Sequence, residues 1–351
     1  MIIRVLLKCT ALRRVVTVSL LALCSAAVLV ALPISLVLGG LSLLRPGARG
    51  RPARFSAFAA VYLAAEVVGL GRALWLRARW ALRGGDRSGK RYADAHYVLL
   101  DRLLSWLCRA ARRVFRLRVQ LPAQLLEVPD GPLLVFSRHA GPGDSFLLVY
   151  ALLAAVRRRP RVVLKQTLTL DPLIDVVLSR TPNCFVGADA RDRAAASGHI
   201  ARLAGSLGPR DALLVFPEGG NFTEARRSRL IEGLGRRRDR RLLRAARALE
   251  HVLPPRPAGV FAAIDAAVPG TTLVFVAHTG LDRLETVADV WRAVPLSRPL
   301  QVAWWSVPLT EVPAHDDEPA RAAWLAEHWA RIDSWVDEHR ESDARRPAGA
   351  T

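Results

Sequence analysis

The chain has 351 residues, enough for one large domain or two. Hydrophobic residues make up 51% of it and the mean hydropathy is +0.19, high for a wholly soluble protein. The formal net charge of +20 leaves a surface that attracts membrane, nucleotide or nucleic-acid phosphates, and the four cysteines, far apart and without a CxxC pair, argue against a metal cluster and a disulfide framework.

From the N-terminus, residues 15–44 read VVTVSLLALCSAAVLVALPISLVLGGLSLL, 30 positions without a charge. About 20 such residues span a bilayer. A secretory signal has a shorter apolar core and then a cleavage site, so a membrane helix is expected, with Pro33 as a kink or the point of a hairpin. Arg45, Arg49, Arg51 and Arg54 follow, then a second apolar run at 55–71, near the lower edge of spanning length. Glu66 sits inside that run. A carboxylate there is costly in lipid; it reads either as a buried polar contact between helices or as the mark of a re-entrant or surface-lying segment. Arginines flank both runs, so charge asymmetry sets no topology. Next, YVLLDRLLSWLCRAARRVFRL places Leu99, Leu103, Leu104, Leu107, Ala111 and Val114 at helical spacing, opposite Arg102, Arg109, Arg112 and Arg113. Such a helix suits an anionic membrane surface, and equally a packed face with the arginines in water.

Beyond residue 118 the pattern turns α/β. Apolar runs at 132–137, 161–165, 212–217, 271–278 and 300–308 read as strands, most of them separated by helical stretches. The expected architecture is a mainly parallel sheet flanked by helices. Near the C-terminus, Trp324, Leu325, Trp329, Ile332, Trp335 and Val336 form a stripe that reads as core packing rather than a membrane anchor.

Two motifs carry chemistry. GPLLVFSRHAGPGDSFLLVYALL, from Gly131, ends a strand at His139 and restarts at Asp144. A five-residue offset on a helix turns about 500° and parts the two side chains. Gly141, Pro142 and Gly143 instead make a tight loop, with Asp144 at the N-cap of the next helix. The loop lets a carboxylate orient an imidazole, which then takes a proton from a hydroxyl. Taken alone, the spacing also fits a capping aspartate beside an unrelated histidine. The second motif, DALLVFPEGGNFTEARRSR at 211–229, is a strand closed by Phe216, Pro217, Glu218 and Gly219.

Together the two motifs resemble the glycerolipid acyltransferase family, whose signatures are a histidine and an aspartate separated by four residues and a later Phe-Pro-Glu-Gly. Lys165 in RVVLKQTL and Arg191 in NCFVGADAR stand where that family has further substrate-binding positions, and LEHVLPPRPAGVFAAI and the segment from Leu300 are similar to the lysocardiolipin and lysophosphatidylinositol acyltransferase subgroup. The resemblance covers about residues 99–339. It implies the glycerolipid acyltransferase fold and acyl transfer from acyl-CoA or acyl carrier protein, as co-substrate and not cofactor, to a lysophospholipid hydroxyl. His139 would be the base, Asp144 its partner, backbone amides after Asp144 the oxyanion donors, and Glu218 and Gly219 part of the acceptor site. No metal and no further cofactor is implied.

The sequence departs from the family in two places. Gly220 and Asn221 stand where a threonine and a phosphate-binding arginine are common, which makes Arg226, Arg227 and Arg229 candidate replacements. Arg138 replaces the usual asparagine before the histidine and is a candidate phosphate contact. The run Arg236, Arg237, Arg238, Arg240, Arg241 and Arg244 reads as a lipid or CoA phosphate patch, or as a solvated helix face.

The expected division is membrane-anchoring helices at 1–80, a basic amphipathic linker at 81–118, a catalytic domain at 119–280, a strand and helix at 281–342 and a frayed tail at 343–351. The partners implied are membrane phospholipids, the lysophospholipid and the acyl donor, with the enzyme on a bacterial cytoplasmic membrane and its catalytic domain on the cytoplasmic side. Other functions in view are a lipid-binding protein on a degenerate acyltransferase fold and acylation of a different glycolipid. Nucleic-acid binding rests on charge alone, finds no recognition motif and is at odds with the apolar N-terminus.

Overall fold

A computed structural model describes residues 6–42, 44, 49–87, 89–122, 129–141, 143–187, 189–236, 240–282, 284 and 286–345, with side chains for all of these except 190, 193, 241, 242 and 341–345. The chain divides into two compact units, one of residues 1–117, 164–193 and 291–297, the other of 118–163, 194–290 and 298–351.

The first unit is built on helices α1 (Thr10–Ser42), α2 (Arg51–Leu82) and α3 (Lys90–Val114). Both α1 and α2 are long and apolar enough to cross a membrane. They pack closely: a Cβ on Gly39 would lie 2.2 Å from that of Ala53, so only glycine fits there. Helix α3 buries Leu99, Leu103, Leu104 and Cys108 and exposes Arg102, Arg109, Arg112 and Arg113, as its periodicity requires. Of the two readings left open for Glu66, the structure has the buried contact. Its carboxylate accepts the Leu173 N–H at 3.2 Å in the first turn of the short helix Pro172–Leu178 (α5, the fourth helix, α4, being introduced below). On that same helix, Asp175 takes Arg13 at 2.8 Å and Arg14 at 2.7 Å. Tyr62 donates to Asp171, which also accepts the Ile174 N–H as the N-cap of α5.

The sheet has seven strands: β1 (Val119–Gln120), β2 (Leu133–Ser137), β3 (Arg159–Lys165), β4 (Cys184–Val186), β5 (Asp211–Val215), β6 (Thr272–Thr279) and β7 (Leu300–Pro308), in the order β1-β7-β6-β2-β5-β3-β4. Five of the strands lie on the apolar runs read from sequence. At two and three residues, β1 and β4 are too short to show a period-two pattern. Strand β2 is central and parallel to both neighbours, pairing Leu133 with Ala212 of β5 and with Thr272 of β6. The pair β6–β7 is antiparallel, so the sheet is mainly rather than wholly parallel. Every residue of β2 and β5 is buried, which explains why these strands read as continuous apolar runs without alternation.

Helices α4 (Asp144–Ala154), α6 (Ala190–Ala204), α7 (Glu224–Arg236), α8 (Arg240–Ala248), α9 (Pro257–Asp265), α10 (Val287–Ala293) and α11 (Glu318–Arg345) are further α-helices among the described residues. The tryptophan stripe lies on α11, where Trp329, Ile332 and Val336 are fully buried in one cluster with Phe136, Leu213 and Phe275. Helix α11 continues to Arg345; positions 346–351 of the expected tail lie outside the described residues. Because β6, β2 and β5 run in parallel, their carboxyl ends leave the sheet on one side, the side where loops of such sheets collect functional groups.

Candidate active site

His139 follows the carboxyl end of β2, and its Nδ1 lies 3.0 and 3.1 Å from the two carboxylate oxygens of Asp144. The helix start differs slightly from expectation. Gly143 occupies the N-cap and Asp144 the first helical position, so its carboxylate turns back to accept the N–H of Ala140 at 2.7 Å and of Gly141 at 3.0 Å. The Ser145 hydroxyl adds a bond of 3.2 Å. Burial pushes the Asp144 carboxyl up, but the His139 hydrogen bond, the electrostatic influence of the His278 and His139 rings and the Gly141 amide outweigh it and hold the group below the ordinary carboxylate range. An ionised carboxylate only accepts, so His139 Nδ1 carries the proton and Nε2 is left with its lone pair.

The backbone of His139 is fixed on both sides. Its N–H donates to Glu218 Oε1 at 2.9 Å and its carbonyl accepts the Phe222 N–H at 2.6 Å. The ring stacks on Phe216, centroids 4.5 Å apart, and its side chain is 13% exposed, enough to be met by a ligand. Glu218 Oε2 accepts the Leu253 N–H at 3.0 Å, so both carboxylate oxygens are bound to backbone. Burial pushes the Glu218 carboxyl up to about 8, against the Arg138 charge and these two amides.

This much is a His–Asp pair held by the Phe-Pro-Glu-Gly turn. Residues 116–276 match the family model described as Acyltransferase. This segment is similar to acyltransferase domains. The chain is also similar to the crystal structure of the 1-acyl-sn-glycerophosphate (LPA) acyltransferase PlsC from Thermotoga maritima, at 15% identity over 81% of this chain and 100% of that one, with a TM-score of 0.46. No curated protein matches the chain.

Within the matched segment the arginines sort by what they touch. The structure corrects the reading of Arg138 as a phosphate contact. Its side chain is 1% exposed and donates inward to Asp282 at 2.6 Å, to the His251 carbonyl at 3.0 Å and to the His278 carbonyl. Arg227 donates to the Leu249 carbonyl at 2.7 Å and the Arg247 carbonyl at 3.2 Å, where it closes the end of α8. Arg229 bonds within its own helix, to the Ala225 carbonyl at 3.1 Å. Arg226 lies over the turn: its Nη1 sits 2.0 Å from where a Gly220 Cβ would be, and Nη2 is 3.4 Å from the Gly219 carbonyl. Gly219, at φ 67°, has the Arg256 guanidinium 2.8 Å from its own would-be Cβ. Side chains at these two positions would displace the guanidiniums.

Lys165, the exposed last residue of β3, and Arg191, exposed in the first turn of α6, belong to the first unit rather than to the one that holds His139. Arg236, Arg240 and Arg244 are exposed; Arg237 and Arg238 lie outside the described residues, as does the side chain of Arg241.

Sequence reasoning missed His278 and Asp282. His278 stands two residues beyond the matched segment, and its Nε2 is 3.6 Å from Asp144 Oδ2. Asp282 accepts the Arg138 guanidinium, the Thr279 hydroxyl at 2.6 Å and the Gly280 N–H at 2.8 Å. Burial raises its carboxyl, yet the Arg138 charge and these bonds hold it well below the usual range. A signal for His278 was present: TTLVFVAH, like PLLVFSRH, is an apolar strand that runs out into a histidine.

Proposed function

We propose that the protein is a membrane-bound lysophospholipid acyltransferase. The His139–Asp144 pair supports this reading, since its oriented imidazole leaves Nε2 free to act as a base. In the proposed reaction His139 Nε2 takes the proton of the acceptor hydroxyl as that oxygen attacks the thioester carbonyl of acyl-CoA or an acyl carrier protein. The tetrahedral intermediate collapses with cleavage of the C–S bond, and the leaving thiolate recovers the proton from the imidazolium. No covalent enzyme intermediate is needed. The amides at the start of α4 are donors for the transient oxyanion.

A glycerol phosphate acceptor fits the basic surroundings. The phosphate role falls to Arg226, whose guanidinium lies over the Gly219–Gly220 backbone, whereas Arg138 and Arg227 have inward partners. The likeness of the 249–264 and C-terminal segments to lysocardiolipin and lysophosphatidylinositol acyltransferases favours a lysophospholipid with an enlarged head group. Membrane attachment is supported by α1, where Leu23, Leu29 and Val30 are 68–74% exposed along a helix of 33 residues. That row of apolar side chains needs a non-aqueous surround. A bacterial cytoplasmic membrane, with the catalytic domain on the cytoplasmic side, is the proposed location.

One experiment tests both parts. Membranes carrying the protein are washed with carbonate and assayed for thioester cleavage with long-chain acyl-CoA and a panel of lysophospholipids. Activity should stay in the pellet, depend on the acceptor and fall about 10²- to 10⁴-fold in His139→Ala. Acceptor-independent cleavage would make the protein a thioesterase, absent cleavage leaves a lipid-binding protein on an acyltransferase fold, and release by carbonate removes the anchor.

A further inference from the structure

The catalytic pair has a third member in space. Strands β2 and β6 are parallel with Ser137 opposite Val276, a register that carries His139 to the level of His278. His278 is 2% exposed. Its Nε2 is 3.1 Å from the Arg138 carbonyl and 3.6 Å from Asp144 Oδ2, both of them acceptors, so Nε2 carries the proton. Nδ1 is buried with no hydrogen-bond partner among the described residues. The arrangement is reciprocal: the His278 ring donates to the Arg138 carbonyl, and the Arg138 guanidinium donates to the His278 carbonyl. A buried, half-satisfied imidazole is costly at a site where a phenylalanine would pack without that penalty.

Resting on the proposed reaction, we propose that His278 is a positioning residue for the His139–Asp144 base. Its Nε2–H donates to the Arg138 carbonyl and stands 3.6 Å from Asp144 Oδ2, beyond hydrogen-bond range, so it acts on the carboxylate through its N–H dipole, favouring its place beside His139 Nδ1 and offsetting part of its negative charge. The groups that face His278 are Asp144 from α4, Arg138 from the end of β2 and Asp282 from the loop after β6. Burial, ahead of the opposing Asp144 charge, keeps the His278 ring below its ordinary range and therefore neutral, an N–H donor rather than a second cation.

The sign follows from the offset. Asp144 stabilises the His139 imidazolium. With the His278 donor removed, the carboxylate acts on His139 at fuller strength, and the imidazole holds its proton to higher pH. The test is the imidazole titration of His139, followed by NMR in the full-length protein in detergent, together with the acid limb of kcat/KM for acyl transfer. In His278→Phe both midpoints should move up by about half a unit to one unit. His278→Gln, which keeps an N–H donor, should titrate close to the wild type. In an Asp144→Asn background the phenylalanine change should no longer move His139. His278→Met repeats the test if the phenylalanine variant does not fold. A His139 midpoint that stays put in His278→Phe while activity falls equally at every pH would make His278 a packing residue and overturn the assignment; so would a glutamine variant that shifts like the phenylalanine one. The titration is read without turnover, so a protein with no acyl transfer would defeat the functional reading and still report on His278.

Discussion

Each compact unit buries carboxylates among cations and backbone amides, yet in the proposed reaction only the second unit puts one to chemical use. In the first unit, Asp175 is 1% exposed and takes both Arg13 and Arg14, Glu66 takes the Leu173 N–H, and Asp171 takes Tyr62 and the Ile174 N–H. These partners hold helices together. In the second unit, Asp144 is as deeply buried and just as well bonded, but one of its donors is an imidazole with a second nitrogen on the far side of the ring. A guanidinium or an amide ends the chain of hydrogen bonds; an imidazole passes it on. In the proposed reaction, therefore, burial and pairing do not set the catalytic carboxylate apart. The nature of the partner does.

Matched substitutions sharpen this contrast. Asp144→Asn should lower turnover about 10²- to 10⁴-fold, because the amide no longer fixes the imidazole tautomer. The melting transition should move little by comparison. Asp175→Asn should do the reverse: it strands the buried Arg13 and is expected to cost about 3–5 kcal/mol in unfolding experiments, with turnover per folded molecule retained. Equal losses of stability in both variants, with no difference in rate, would erase the distinction between the two regions.

The same logic separates two neighbouring arginines. Arg226→Ala should raise the acceptor KM roughly ten- to a hundredfold, the loss of one charge-assisted hydrogen bond to a phosphate, and leave the donor KM alone. Arg227→Ala should leave both constants alone and cost about 1 kcal/mol of stability, since it serves the carbonyls that end α8. A rise in donor rather than acceptor KM at Arg226 would move that residue to the CoA phosphates.

The smallest effect concerns Glu218. Its carboxyl is raised from 4.5 to about 8 in the folded protein, so the native state holds a proton that the unfolded chain releases. The resulting stability is present below about pH 4.5 and lost as pH rises through 8. Glu218→Gln cannot ionise, and it gives one backbone amide an N–H where an oxygen had been. The variant should be less stable at pH 5, and the gap should narrow toward pH 8.5. A gap that stays constant over that range would mean Glu218 is held ionised by Arg138 and the two amides.

What the chain determined by itself lies close to its local physics. Continuous apolar runs bounded by turns marked the five main strands, because strands covered on both faces need no alternation. Gly141 and Gly143 ruled out a helix between His139 and Asp144, and with it any reading of the two as one helical face. Tertiary structure decided what depends on which strand lies beside which. His278 is 139 positions from His139 in sequence, and only the parallel register of β2 with β6 brings it to Asp144. Arg138 looked like a phosphate ligand because its charge was visible; its three inward acceptors were not, since they come from residues 251, 278 and 282. Glu66 was legible as a costly carboxylate, but its partner is a backbone N–H on another helix, and backbone groups leave no trace in a residue string. Patterning is set by nearest neighbours along the chain, whereas a site is set by pairings that long-range burial selects.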